Sequence, residues 1–316
     1  MSDGNQVVIS NSAIQTFKDC RRKYWLKYVR RLRPKERETT GALALGTRVH
    51  KALEIYYQKI AAGMTSDDAN IQGTWASLCD DDRMEIIAAG WDTDTFDKEA
   101  ELGRIMLEGY IEWVESEGID SDLEILSQEE TLSSEMLDGR VLLVGKIDQR
   151  VRRKADNTRL IRDFKTAAQF DTLAKTIAQN EQFLLYMVLE MLKLDEEMRV
   201  SGALVTALRK VKRTANSKPP FYAEFEVEHN IFELRNFYKR LIGEMTQIVQ
   251  LHDDIEAGAD HQVVAYPTPT RDCSWKCEFS ACCQMFDDGS DIEKYLSDNY
   301  TESSPYEYYG ESDPTT

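Results

Sequence analysis

Two aspartates and a lysine, Asp148, Asp163 and Lys165, stand where a short hairpin would bring them together. The segments Val144-Gly145-Lys146-Ile147-Asp148 and Ile161-Arg162-Asp163-Phe164-Lys165 both read as strands, along which successive side chains point to opposite faces. Positions 148 and 163 are symmetric about a point between Ala155 and Asp156, where Ala155-Asp156-Asn157 supplies turn chemistry. Antiparallel pairing in that register puts both aspartates on one face, and a slip of two residues leaves the face unchanged. Directly opposed Cβ atoms lie roughly 5 Å apart. Lys165, two residues beyond Asp163, shares the face. Two carboxylates this close repel unless a cation sits between them. Mg²⁺ suits the place, because it takes oxygen ligands at about 2.0–2.1 Å and keeps several waters. A lysine beside such an ion can orient or deprotonate a water, or neutralise charge building on a phosphate. The chemistry implied is phosphodiester hydrolysis. On spacing alone, a surface hairpin carrying an ordinary Lys165–Asp163 ion pair accounts for the pattern slightly better.

A second set of chemically capable residues is the run Cys273-x-x-x-Cys277-x-x-x-x-Cys282-Cys283, with Cys20 far upstream. Thiolates crowded into one short segment of a chain in a reducing compartment suggest an iron–sulfur cluster or zinc. Cys79 falls in a weakly patterned region and reads as an ordinary thiol.

The elements that must position these groups follow from periodicity. Ser12-x-x-Gln15 has the form of a capping box and opens a helix bearing Ile14, Phe17, Trp25 and Leu26. Further helices are expected over residues 43–62, ended by Gly63, and 98–117, ended by Gly118. Residues 64–97 are acidic and weakly patterned, so they read as an insertion. Strands are expected at 123–132, 140–152, 158–164, 200–208 and 221–227, with Asp138-Gly139 as a hairpin turn. A long apolar helix covers 172–194, and another covers 231–255. The expected organisation is a helical region with a basic run and an insertion (1–122), a catalytic core (123–260), a cysteine segment (261–286) packed with Cys20, and an acidic, disordered tail (287–316).

Placed in order on these elements, the motifs resemble the PD-(D/E)XK nuclease superfamily, and most of all its RecB-like branch of CRISPR-adaptation and phage recombination exonucleases. They are Ser10-x-Ser12-x-Ile14-x-x-Phe17-x-x-Cys20 with Tyr24, Gly46-x-x-x-His50, residues 145–148, residues 161–166, and Gln182-x-x-x-Tyr186. Each is weak alone, but five in order over residues 8–285 make a specific signal. The resemblance implies an α/β fold with a restriction-endonuclease-like core, a mixed central sheet flanked by helices. It implies Mg²⁺ or Mn²⁺ held by His50, Asp148, Asp163 and the Phe164 carbonyl, and catalytic roles for Asp148, Asp163, Lys165, Gln182 and Tyr186. It also implies a [4Fe–4S] cluster on Cys20, Cys273, Cys277 and Cys283, stapling the C-terminal segment to the N-terminal helix. Cys283 is preferred to Cys282 because five residues after Cys277 is the branch's usual interval. The three residues between Cys273 and Cys277 depart from the usual two, and zinc is the runner-up. For Tyr186 and Gln182, a core tyrosine beside a satisfied polar neighbour competes with a direct role. Glu129 and Glu130 are left facing solvent.

The implied activity is a deoxyribonuclease, an exonuclease on DNA ends or single strands, serving recombination, repair or phage DNA metabolism, with a recombinase or helicase as a conceivable partner. Arg21, Arg22 and Lys23, interleaved with Trp25 and Tyr28, would track a strand by charge and stacking, and Arg209 and Lys210 would reach phosphates from a loop. The competing reading has Trp25 in the core and the arginines solvating a helix. The net charge of −17 argues against a generic nucleic-acid binder. The charge is segregated, however. Residues 287–316 carry nine acids and one lysine, whereas residues 18–59 carry thirteen Lys or Arg against four acids. No apolar run is long enough to cross a bilayer, and no secretory leader is evident at Met1. The expected location is therefore a cytoplasm, prokaryotic or that of a phage-infected host. Two other classes compete: a non-catalytic module on the same fold that grips DNA ends or a recombinase, and a zinc-stabilised interaction protein.

Overall fold

A computed structural model describes residues 6–36, 39–193, 200–214 and 216–309. Among them no helix is long and apolar enough to cross a membrane. Residue 194 of the expected long helix and residues 310–316 of the expected tail lie outside the described residues. The strands are β1 (Val7–Ser10), β2 (Leu32–Pro34), β3 (Leu123–Met136), β4 (Val141–Arg153), β5 (Arg159–Ala167), β6 (Gly202–Arg209), β7 (Tyr222–Glu228) and β8 (Tyr300–Glu302). The helices are α1 (Asn11–Asp19), α2 (Arg21–Tyr24), α3 (Ala42–Ala61), α4 (Ser66–Ala69), α5 (Ile71–Ala88), α6 (Asp94–Glu117), α7 (Phe170–Ile177), α8 (Glu181–Leu192), α9 (Ile231–Glu256), α10 (His261–Val264), α11 (Cys273–Lys276), α12 (Ser280–Cys283) and α13 (Ile292–Asn299). They form two units, one of Met1–Arg37, Thr131–Gly145 and Ile231–Thr316, the other of Glu38–Glu130 and Lys146–Asn230.

The second unit is a mixed sheet with helices against it. β4 and β5 are antiparallel, β5 and β6 parallel, β6 and β7 antiparallel. The β5-to-β6 crossover runs through α7 and α8, the helical connection that parallel strands require. Its apolar cluster joins Val49, Leu53 and Tyr57 of α3 to Met106, Leu107 and Tyr110 of α6 and to Phe164 of β5. Helix α5 belongs to the same cluster through Trp75, whose indole N–H donates to the Ala100 carbonyl at 3.0 Å. The stretch read as an insertion is thus part of the core. Gly103 permits this, because a Cβ there would stand 2.2 Å from the Trp75 ring.

Beneath the sheet, Arg162 is 1% exposed and pairs with Asp120 at 2.7 Å and Glu224 at 3.3 Å, while its Nε donates to Thr206 at 2.9 Å. The expected single helix over 172–194 is two helices. The first ends at Ile177, and Asn180 caps the second, its side chain accepting the Gln182 N–H at 3.0 Å. That competition for backbone N–H groups is what asparagine does at a helix start.

In the first unit, β1 runs parallel to the opening of β4, with Val7 against Val141 and Ser10 against Val144. The cap of α1 is Ser10, not Ser12, and its hydroxyl accepts the Ala13 N–H at 3.3 Å. The expected continuous helix breaks at Cys20, which is extended (φ −162°, ψ 116°) and whose Sγ caps α2 by accepting the Lys23 N–H at 3.5 Å. A π-helical turn over Trp25–Val29 follows. The acidic stretch from residue 287, expected to be disordered, folds instead: α13 forms, β8 pairs antiparallel with β2, and the Tyr306 hydroxyl donates to the Val8 carbonyl. Low hydrophobicity hid these contacts, which are made by scattered aromatics and backbone pairing.

His252 on α9 gives this unit a pH response. Its Nε2 lies 3.0 Å from the Tyr24 hydroxyl, and burial lowers its pKa from 6.5 to about 4. The folded protein therefore prefers the neutral ring. Stability is whole above about pH 6.5 and falls as pH drops towards 4, by at most about 3 kcal/mol. Urea midpoints taken across that window should decline for the wild type and decline less for His252→Phe; equal slopes would remove His252 from the account.

Candidate active site

The site is assembled on β4, β5, α3 and α8 of the second unit. The β4–β5 register pairs Gln149 with Arg162 and Arg150 with Ile161, the register expected from the turn, so Asp148 and Asp163 come next on one face. Asp148 is 7% exposed and Asp163 is 1% exposed. Helix α3 brings His50 to Asp148, Nε2 to Oδ1 at 3.2 Å. Gly46, one turn earlier, lets α3 come close, since a Cβ there would stand 2.9 Å from the Thr166 Oγ1. The other Asp148 oxygen accepts the Phe164 N–H at 3.1 Å. The Phe164 ring stacks on Tyr57 and meets the His50 ring edge-on.

Lys165 Nζ lies 2.9 Å from Asp163 Oδ2 and donates to the Gln182 side-chain oxygen at 3.2 Å. The Gln182 amide nitrogen in turn donates to Asp163 Oδ1 at 3.3 Å and to the Tyr186 hydroxyl at 2.9 Å. Gln182, Tyr186 and Glu190 stand one helical turn apart on α8, and Glu190 forms a buried ion pair with Arg150 of β4. That pair holds α8 against the strand carrying Asp148. The Glu190 position follows the same four-residue interval as Gln182 and Tyr186, a signal present in the sequence but not used there.

Burial pushes the Asp163 carboxyl up to about 6, with the Asp148 charge adding to it and the Lys165 ammonium opposing it. Burial works against the charged forms of His50 and Lys165, but their carboxylate neighbours raise both pKa values above the ordinary ones. Lys165 is thus held as an ammonium. Its side chain is 32% exposed, open to a substrate from one side.

Glu129, expected to face solvent, belongs here instead. Its backbone is left-handed (φ +49°) in the middle of β3, a conformation uncommon for a side chain other than glycine or asparagine. The kink turns its carboxylate inward, so that ligand atoms of His50, Glu129 and Asp148 all lie within 4.8 Å of one another. Alternation along β3 would have pointed it elsewhere, which is why sequence reasoning missed it. Buried oxygens and an imidazole converging in this way fit a hard divalent cation. Glu130, its neighbour, pairs instead with Arg150 at 2.6 Å and Lys193 at 2.9 Å.

Of the residues expected to meet nucleic acid, Arg22 does not fit. It is 1% exposed and clamps Asp287 with two hydrogen bonds at 2.9 Å while donating to the Cys283 carbonyl at 3.0 Å. Trp25 and Tyr28 are buried too, so they offer no face for base stacking. Arg21 stands over the Phe17 and Tyr266 rings, and Lys23 is half-buried. In the other unit, Arg209 donates to the Lys218 carbonyl at 2.9 Å and Lys210 to the Ala42 carbonyl at 3.4 Å. Burial lowers the Lys210 pKa.

In the first unit the break at Cys20 turns its Sγ towards the cysteine segment, where it accepts the Thr268 N–H at 3.4 Å. Cys273 Sγ accepts the Thr270 N–H at 3.3 Å. Burial raises the Cys277 pKa, and the neighbouring Cys20 and Cys273 thiols add to it. Cys282 is fully buried, donates to the Phe279 carbonyl at 3.4 Å and meets the Tyr300 hydroxyl, whereas Cys283 is partly exposed beside Arg22. Cys79 is buried among the α3–α5 contacts.

The sheet topology, the hairpin of carboxylates and the adjoining lysine have a counterpart in known families. The chain belongs to the PD-(D/E)XK nuclease superfamily, which it matches over residues 8–284. Members are nucleases, hydrolases of nucleic-acid phosphodiesters, and typically use Mg²⁺ or Mn²⁺. Among curated protein sequences nothing matches the chain.

Proposed function

We propose that the protein is a metal-dependent deoxyribonuclease of the RecB-like branch, an exonuclease acting on DNA ends or single strands. The observation that carries the nuclease reading is the continuous chain Tyr186–Gln182–Lys165–Asp163 beside the Asp148–His50 pair. Asp148, Asp163 and His50, with the Phe164 carbonyl, would hold Mg²⁺ or Mn²⁺. That ion supplies a water of lowered pKa and a Lewis acid for the phosphate. Lys165, kept as an ammonium, neutralises charge growing on the phosphoryl oxygens and orients the attacking water. Gln182 and Tyr186 fix the Lys165 rotamer. Action on ends rather than within strands rests on the motif resemblance, as does a role in recombination or repair. Arg21, Lys23, Arg209 and Lys210 remain as phosphate contacts; Arg22 does not.

End-labelled single- and double-stranded DNA, incubated with and without Mn²⁺, tests the reading. Metal-dependent mononucleotide release that stops in Asp163→Asn is the expected result. Binding of ends without any cutting would favour the non-catalytic module.

The same proposal places a [4Fe–4S] cluster on Cys20, Cys273, Cys277 and Cys283. The break at Cys20 and the hydrogen-bonded commitment of Cys282 support that ligand set over one containing Cys282. Cys20→Ala should leave anaerobically purified protein with little iron and visible absorbance and a markedly lower melting temperature. Unchanged iron and melting would remove Cys20 from the set, and colourless protein holding zinc would replace the cluster with that metal.

A further inference from the structure

The basic run of the first unit has lost the stacking partners that its sequence promised, since Trp25 and Tyr28 are buried. The same unit offers others. Of the five tryptophans in the chain Trp275 is the most exposed, at 70%, and Tyr266 is 44% exposed. Trp275 stands between Cys273 and Cys277, with the Lys276 ammonium 4.5 Å from its ring centroid and no other ring or cation over it among the described residues. Two large aromatic rings left in water on one short segment mark a place where something else packs.

Charge says what that is. Residues 266–278 lie along residues 19–27: the Arg22 N–H donates to the Tyr266 carbonyl at 3.2 Å, the Thr268 N–H to Cys20 Sγ at 3.4 Å, and Lys27 pairs with Glu278 at 2.8 Å. These two stretches hold six basic residues against three acids, in a chain of net charge −17. Arg22 is committed to Asp287, Lys27 to Glu278 and Lys276 to Asp272. Arg21, Lys23 and Arg271 remain, against Asp19. The Arg21 guanidinium stands 5.2 Å from the Tyr266 ring centroid and donates to the neutral Gln247 amide at 3.3 Å. Lys23 is half-buried and Arg271 exposed, and neither pairs with a carboxylate among the described residues. Lys23 also lies close enough to the Cys277 thiol to act on its pKa, which sets it beside the segment bearing Trp275. Cations interleaved with open aromatic faces suit a single strand of DNA, whose phosphates meet the cations while its unstacked bases lie on the rings. A duplex keeps its bases stacked on one another, and a simple anion has no use for the rings. We propose that Trp275 and Tyr266, with Arg21, Lys23 and Arg271, form a stacking platform for single-stranded DNA on the first unit. The inference deepens the proposed nuclease reading and rests on it.

Fluorescence anisotropy on full-length protein tests it, using labelled oligothymidylate and an abasic strand of the same length, with no divalent metal added so that the strands stay whole. Wild type should bind oligothymidylate more tightly than the abasic strand, which has the phosphates but no bases. Trp275→Ala should weaken oligothymidylate binding about 10-fold, the loss of one stacked base, and leave the abasic strand nearly unchanged. Trp275→Phe should recover most of that loss. Arg271→Ala should weaken both strands alike and flatten the slope of log affinity against log salt by about 0.7. Trp91→Ala, at an exposed tryptophan of the other unit, should change nothing. No affinity for oligothymidylate, equal losses on the two strands in Trp275→Ala, or a loss of less than about 2-fold would overturn the platform. Bound metal is measured in every variant, because Trp275 lies between two cysteines; if Trp275→Ala loses metal, Tyr266→Ala decides by the same comparison of strands. Cleavage with Mn²⁺ is read separately. A protein that cuts without these base-dependent losses overturns the platform alone, whereas base-dependent binding without cutting overturns the nuclease reading and keeps the platform.

Discussion

Lys165→Ala should slow single-turnover DNA cleavage about 10²- to 10³-fold at saturating Mn²⁺, the usual cost of removing one preorganised charge from a transition state. Affinity for Mn²⁺ should hold or rise, because Asp163 loses a competing cation 2.9 Å away. The paired measurement separates two roles. If Mn²⁺ affinity collapses along with the rate, Lys165 merely keeps the hairpin in shape. If affinity holds while the rate falls, its ammonium acts on the phosphate. Gln182→Ala should give a smaller loss in the same direction, since Lys165 would keep Asp163 but lose the amide oxygen at 3.2 Å.

The largest expected effect on stability lies under the sheet. Arg162→Ala takes the guanidinium from the carboxylates of Asp120 and Glu224, which keep only the Tyr57 and Thr206 hydroxyls, beside the Tyr57 and Phe164 rings. Breaking a buried pair by removing one partner costs about 3–5 kcal/mol. Burial raises the Glu224 pKa even with Arg162 in place, so the variant should suffer more at pH 8 than at pH 5, where that carboxyl can take up a proton. Chemical denaturation at the two pH values measures both statements. A loss below about 1 kcal/mol would mean that water reaches the stranded carboxylates and replaces the guanidinium.

The hairpin was legible because its turn chemistry sits midway between the two aspartates, so register followed from symmetry rather than from knowledge of the fold. Gln182 and Tyr186 were legible through the motif resemblance, and their helical interval put them on one face, whereas Glu190, four residues further on, drew no notice. Glu129 was not, because period-two reasoning assumes a regular strand and a single left-handed residue defeats it. The basic run was legible as charge but not as function. Lys23 stays half-buried while Arg22, its neighbour, is swallowed by an ion pair with a residue 265 positions away. Composition can suggest such a pairing but not locate it. The break at Cys20 was hidden for a similar reason: nothing local stops that helix, and the cysteine leaves it to reach a segment that only tertiary structure brings near.

Anyone shortening this protein for biochemistry would be tempted to trim its acidic C-terminal stretch to improve behaviour on anion exchangers or in crystals. The contacts of Asp287, Tyr300 and Tyr306 make that a poor choice. A chain cut before Asp287 leaves the Arg22 guanidinium without its carboxylate, β2 without its partner strand and the Val8 carbonyl without a donor. A cut after Tyr309 keeps all three contacts, and limited proteolysis of the intact protein should spare the start of the acidic run at Asp287.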